Sequence, residues 1–237
     1  MNAGQAKAKL HALATPEAAK AAVRFFKVGP GQYGEADKFI GVRVPAIRKL
    51  TRELGAMPLA ETEKLLRSPI HEERLLALLI LVLGAGKGDE RGRKAAYDLY
   101  TRNIEYVNNW DLVDCSAPTL VGGYLADKSR KPLIRWAKSS SLWKRRIAVV
   151  ATQHFIRRGE YNDTLAISRL LLADEEDLVH KATGWMLREV GERDEEVLTQ
   201  FLDEHAAGMP RTMLRYATEK LSPEVRRSYR AAGSSQA

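Results

Sequence analysis

Four stretches of this chain open alike, a basic residue running into apolar or small ones: Arg74-Leu-Leu-Ala-Leu, Arg146-Ile-Ala-Val-Val, Lys181-Ala-Thr-Gly-Trp and Arg215-Tyr-Ala. The steps between them are 72, 35 and 34 residues, and Trp110 falls at the vacant middle of the first step. A period in the mid-thirties constrains a chain strongly. It is the length of two helices with their turns, a unit that cannot bury its apolar face alone and must stack on its neighbours.

The remaining segments agree. Nearly all have helical periodicity, and no run of β-branched and aromatic residues alternates at period two between turn signals. Breakers fall at Gly29-Pro30-Gly31, Gly55 to Pro58, Ser68-Pro69, Gly84 to Gly88, Lys131-Pro132, Gly159 and Gly208 to Pro210. They leave room for about twelve to fourteen helices of ordinary length. Pro58 and Pro132 suit a first helical turn, and Asp89 and Ser222 suit N-caps. The tetratricopeptide signature is absent, so the expected fold is all-α, a C-shaped solenoid of HEAT-like pairs with a basic concave groove. One domain is expected over residues 1–230, with 231–237 an unstructured tail.

In such a stack equivalent positions line up, placing Arg74, Trp110, Arg146, Lys181 and Arg215 in one row. Two readings of the row stay open. It is a cationic floor for a nucleic-acid backbone, with a ring for base or sugar faces, or a basic residue kept at one repeat position for structural reasons. Across 237 residues Lys and Arg number 38 against 30 acids, a net charge of +8, which points to a polyanionic partner or, equally on charge alone, to a basic protein with an evenly charged surface. The longest apolar run, Leu75 to Gly86, has 12 residues, short of the about 20 that span a bilayer. The N-terminus has no apolar signal region, so the expected location is cytoplasmic, at the nucleoid when DNA is bound. A single cysteine, Cys115, and five scattered histidines give no disulfide and no metal-ligand spacing, so neither metal nor cofactor is expected.

Chemistry concentrates in three places. Asn108-Asn-Trp110-Asp111-Leu-Val-Asp114 sets an indole and a carboxylate one helical turn apart on one face. Asp111 suits the first-turn dipole, whereas Asp114 has less structural excuse. Trp143-Lys144-Arg145-Arg146 gathers three cations beside an indole, Trp143 sharing a face with Arg146. Lys181, Trp185, Arg188 and Glu189 share a third face, around a mid-helix Gly184 whose cost of about 1 kcal/mol relative to Ala points to close approach of another backbone or a ligand. Trp136 lacks such company and reads as core. No nucleophile elbow is present, and Cys115 has no His nearby in sequence.

Three stretches carry a family resemblance: Tyr33-Gly-Glu-Ala-Asp-Lys-Phe-Ile-Gly-Val-Arg-Val-Pro45-Ala-Ile-Arg48, Asn109-Trp-Asp-Leu-Val-Asp114, and Lys181-Ala-Thr-Gly-Trp-Met-Leu-Arg-Glu189. In order and spacing the chain resembles the AlkD-type DNA alkylation-repair glycosylases, a HEAT-like-repeat family, from about Pro16 to about Leu221. The resemblance implies a monomeric, cofactor-free enzyme that excises cationic N3- and N7-alkylated purines from duplex DNA, with the base kept near the duplex. It gives Asp114 the role of catalytic carboxylate, Trp110 and Trp185 those of site-wall indoles, and Arg146 that of backbone grip. Within the Arg145-Arg146 doublet, helical register and repeat favour Arg146. Further DNA contacts are expected from Arg43, Arg48, Arg74, Lys144, Arg145, Lys181, Arg188 and Arg215. The alternatives are a non-catalytic scaffold or a branched-DNA-binding protein of the same fold. A scaffold leaves Asp114 between aromatics unexplained.

Overall fold

The computed structural model describes residues 1–35 and 37–232 and divides into two compact units, Met1–Tyr124 and the chain from Leu125 onward. Residues 231 and 232 close the last helix, and the rest of the expected tail lies outside the described residues. The first unit holds α1 (Ala3–His11), α2 (Pro16–Phe25), α3 (Val44–Leu54), α4 (Leu59–Leu66), α5 (His71–Lys87), α6 (Glu90–Arg102) and α7 (Trp110–Ala117). A π-helical turn, Pro118–Gly122, follows, and the short α8 (Gly123–Leu125) runs across the boundary in the chain. The second unit holds α9 (Lys131–Ala137), α10 (Leu142–Ala151), α11 (Gln153–Ile156), α12 (Asn162–Leu170), α13 (Asp177–Gly191), α14 (Glu195–His205), α15 (Arg211–Ala217) and α16 (Pro223–Ala232). No strand occurs among the described residues; one parallel bridge joins Lys38 to Ile70. No described helix is long and apolar enough to cross a membrane.

The fold is all-α and helical-repeat, as the periodicity requires. In the second unit the repeat is exact in register: Arg146, Lys181 and Arg215 are each the fifth residue of α10, α13 and α15, and α13 packs against both of the others. Asp89 and Ser222 are caps, accepting from the amides of Gly92 and Val225 at 2.8 and 3.3 Å. Pro58 stands one residue before α4, in extended backbone.

One breaker does not break. α5 runs through Gly84 and Gly86 to Lys87. The residues from His71 to Leu81 are buried without exception, and α5 packs on α3, α4, α6 and α7. Such packing outweighs the roughly 1 kcal/mol that each glycine costs a helix.

Gly184 has the cause its position implied. A Cβ there would lie 2.4 Å from the Met213 carbonyl oxygen and 2.6 Å from the Tyr216 Cβ, so α13 and α15 touch backbone to backbone. Trp136 is buried, as core. Gly184→Ala gains about 1 kcal/mol of helix propensity, but the clash is with main chain and cannot relax by a rotamer change. We expect a net loss of about 1–3 kcal/mol, read as a lower denaturant midpoint with unchanged m.

Candidate active site

α7 starts at Trp110 because Asn109 caps it, its Oδ1 accepting from the Trp110 amide at 2.8 Å. The cap is itself held. Asn109 Nδ2 donates to Asp37 Oδ2 at 2.6 Å, and Asp37 also accepts from Arg74 and, at 3.0 Å, from His71 Nδ1. The opposite ring nitrogen of His71 donates to Asp111 Oδ2 at 2.8 Å, while Asp111 Oδ1 accepts from the Leu112 amide at 2.9 Å. Arg74 completes the cluster with a 3.0 Å bond to the Ser68 carbonyl.

Burial opposes charge on His71, but the hydrogen bonds and charges of Asp111 and Asp37 outweigh it and raise the imidazole to about 9. Burial would raise Asp37 in the same way; His71, Arg74 and Asn109 prevail and hold it below the usual carboxylate range. The four charged groups, Asp37, Asp111, His71 and Arg74, sum to zero at neutral pH.

Aromatic rings cover this cluster. Phe39 stacks on His71 with centroids 4.6 Å apart, Phe26 stacks on Phe39 at 4.9 Å and on Trp110 at 5.5 Å, and Phe25 meets Trp110 edge-on at 5.7 Å. Together with Arg43, Val44, Pro45 and Asp111 they line an apolar cavity of about 520 Å³. Phe25 is 64% exposed at its mouth. Asp114, one turn past Trp110, is half-buried like the indole. Burial, then the charges of Asp111 and Asp114, push the neighbouring Cys115 thiol far above its usual range, which leaves it a poor nucleophile.

In the second unit α10 begins at the Ser141 cap, which accepts from the Lys144 amide at 3.5 Å. Arg145 is committed internally, bonding Asp174 at 2.5 and 3.1 Å and the carbonyls of Ser139 and Ser140 at 3.0 and 2.9 Å. Arg146 is buried and donates to the Leu178 carbonyl. On α13, Lys181 pairs with Asp177 at 2.7 Å, Arg188 pairs with Glu219, and the Trp185 indole N–H donates to Glu189 at 3.1 Å.

The structure therefore brings Trp110 and Asp114 together and splits the cations expected to contact DNA into two kinds. Arg43, Arg48 and Arg215 are exposed and Lys144 half-buried, whereas Arg74, Arg145, Lys181 and Arg188 are bonded to carboxylates of the chain. Sequence reasoning took Arg74 for a groove cation and missed Asp37, His71, Asn109 and the Phe25, Phe26 and Phe39 rings. The signal for the first two was His71-Glu-Glu-Arg74, four chargeable residues directly ahead of the longest apolar run.

By its sequence this all-α repeat chain falls in a class of DNA-repair proteins. The sequence profile of the family described as DNA alkylation repair enzyme matches residues 6–221, and the chain belongs to that family. Among solved structures it is similar to a predicted DNA alkylation repair enzyme from Enterococcus faecalis, with a TM-score of 0.68 and 16% identity over 89% of this chain and 97% of that one. That likeness is one of fold. No curated protein matches the chain.

His71 makes folding pH-dependent. Its folded value of about 9 exceeds the ordinary 6.5, so its contribution is complete below about 6.5 and is lost as pH rises through 9. Wild-type stability should fall over that window by on the order of 3 kcal/mol, at 1.36 kcal/mol per pH unit. The alkaline slope should flatten in His71→Gln when denaturant midpoints are measured from pH 6 to 9.5.

Proposed function

We propose that the chain is a DNA glycosylase that excises cationic N3- and N7-alkylated purines from duplex DNA by hydrolysis of the N-glycosidic bond. The observation that carries the reading is the pairing of Trp110 with Asp114, one turn apart and both half-buried on a helix whose start is locked. Membership of a DNA alkylation repair family supports it.

Alkylation at N7 or N3 makes the purine a cation and a good leaving group, and bond cleavage leaves an oxocarbenium-like deoxyribose. Asp114 stabilises the charge developing on the sugar and orients the attacking water. Trp110 offers its face to the cationic lesion, an attraction worth about 0.5–2 kcal/mol and absent for unmodified purines. For Trp185, and for Arg146, which is buried and donates to the Leu178 carbonyl, the resemblance alone carries the roles of second indole and backbone grip. Arg43, Arg48, Lys144 and Arg215 supply phosphate contacts that do not depend on sequence.

Asp114→Asn keeps shape and removes charge. It should slow release of 7-methylguanine from a singly modified duplex by a hundredfold or more, with binding to intact duplex unchanged or slightly tighter. Trp110→Leu should cost about 1–2 kcal/mol of transition-state stabilisation. Full excision by Asp114→Asn removes that carboxylate from the mechanism; a wild type that binds duplex but releases no base is a scaffold. Binding should also weaken with salt at several units of log K per log salt, since each neutralised phosphate contributes about −0.9. A flat titration contradicts the electrostatic reading.

A further inference from the structure

The buried histidine at the start of α5 and its partner Asp37 carry the side-chain hydrogen bonds that reach Asn109 and Asp111 at the start of α7. Asp37 lies in the loop before α3, Asn109 and Asp111 flank Trp110 in the chain, and His71 bonds both carboxylates at 3.0 and 2.8 Å. His71 and Asp37 side chains are each 1% exposed, and Asp111 13%. A neutral imidazole has one donor and could serve only one carboxylate; the imidazolium serves both. The groups facing His71 are those two carboxylates, with Arg74 beyond Asp37, and Glu72, Arg43 and the Phe26 and Phe39 rings around the cavity it lines.

Glu72 does not compete for the ring, because its carboxylate accepts from the amides of Ile40, Gly41 and Val42 at 3.1, 2.8 and 3.3 Å. The Lys38 carbonyl in turn accepts from the His71 amide at 2.8 Å. The loop carrying Asp37 is thereby fixed to α5, and the His71 ring, with the Asp37–Asn109 bond beside it, links that fixed loop to α7.

We propose that His71, as an imidazolium bridging Asp37 and Asp111, is a positioning residue for the reaction on α7, holding its first turn so that Trp110 and Asp114 keep their reactive placement. The proposal rests on the glycosylase reading and makes no substrate contact of its own. It predicts a split between chemistry and binding. His71→Gln should lower the single-turnover release of 7-methylguanine by tenfold or more and change affinity for intact duplex less than twofold.

Asp111→Asn guards against a folding failure, since it is isosteric and leaves Asp37 to hold the ring. With one carboxylate gone, His71 should lose its proton nearer neutrality, and excision should acquire a descending limb between pH 6.5 and 8 that the wild type lacks. NMR of ¹⁵N-labelled histidine and of the Trp110 indole, without DNA, supplies the independent readout. Both His71 ring nitrogens should remain protonated at pH 8 in the wild type, and the Trp110 signal should move in both variants. Wild-type excision rates in both variants, or a Trp110 signal that stays in place, overturn the proposal. If the wild type releases no base at all, the glycosylase reading fails alone, and the ring protonation and Trp110 signals still decide the role of His71.

Discussion

Four consecutive chargeable side chains, His71, Glu72, Glu73 and Arg74, are buried at the start of α5, and the first unit is organised by where their charges go. α5 has too many apolar residues on all sides to leave any face in water, so its first turn is carried inside with it. Each charge then needs a partner or costs several kcal/mol. His71 takes Asp37 and Asp111; Glu72 takes three loop amides; Glu73 takes Lys7 and His11 of α1, both at 2.7 Å; Arg74 takes Asp37 and the Ser68 carbonyl. One helical turn thus specifies the positions of α1, the loop before α3 and the start of α7. Hydrophobic residues of equal volume would bury as well without selecting those partners. The function of the charges is registration, and the loss of His71 or Arg74 removes one of the partners that hold the buried Asp37.

The arginines at helix starts repeat the device. Arg74 donates to a carbonyl six residues before it and to an Asp far off in the chain; Arg145 does the same with the Ser139 carbonyl and Asp174. A basic residue early in a helix can close the preceding turn and clamp a neighbouring loop. Arg74 itself is buried, with Asp37 and the Ser68 carbonyl as its partners. Planar guanidinium suits the work, since its fork bonds a carboxylate and a carbonyl at once.

Much of this was legible in the sequence, and the failures share a cause. Helix type, caps at Asp89 and Ser222, the close approach at Gly184 and the core placement of Trp136 follow from local chemistry within one turn or from a single residue's cost. The pairing of Trp110 with Asp114 follows from helical spacing alone. What could not be read was any interaction made across the chain. Asp37 and Asn109 are 72 residues apart, with nothing local to pair them, and His71 read only as one of five scattered histidines. The stretch around Asp37 and the stretch from Asn109 to Asp114 were singled out together by resemblance. The structure gives the physical reason they belong together, which is that both end on the same buried ring.

That ring also governs the electrostatics available to a reaction on α7. Asp111 and Asp114 are three positions apart on one short helix, close enough for like charges to repel. Left alone, Asp111 would lessen the advantage of placing a carboxylate where a sugar cation develops, because two neighbouring anions each favour neutralising the other. The imidazolium removes that competition within the cluster, and Arg74 does the same for Asp37, so the network adds no net charge to the start of α7. The carboxylates beneath the aromatic rings fix geometry, and in the proposed reaction the carboxylate one turn on, Asp114, is the one that acts on substrate. The division of labour requires the protonated form of His71, which is why the bond to Asp111 and the bond to Asp37 have to be made together.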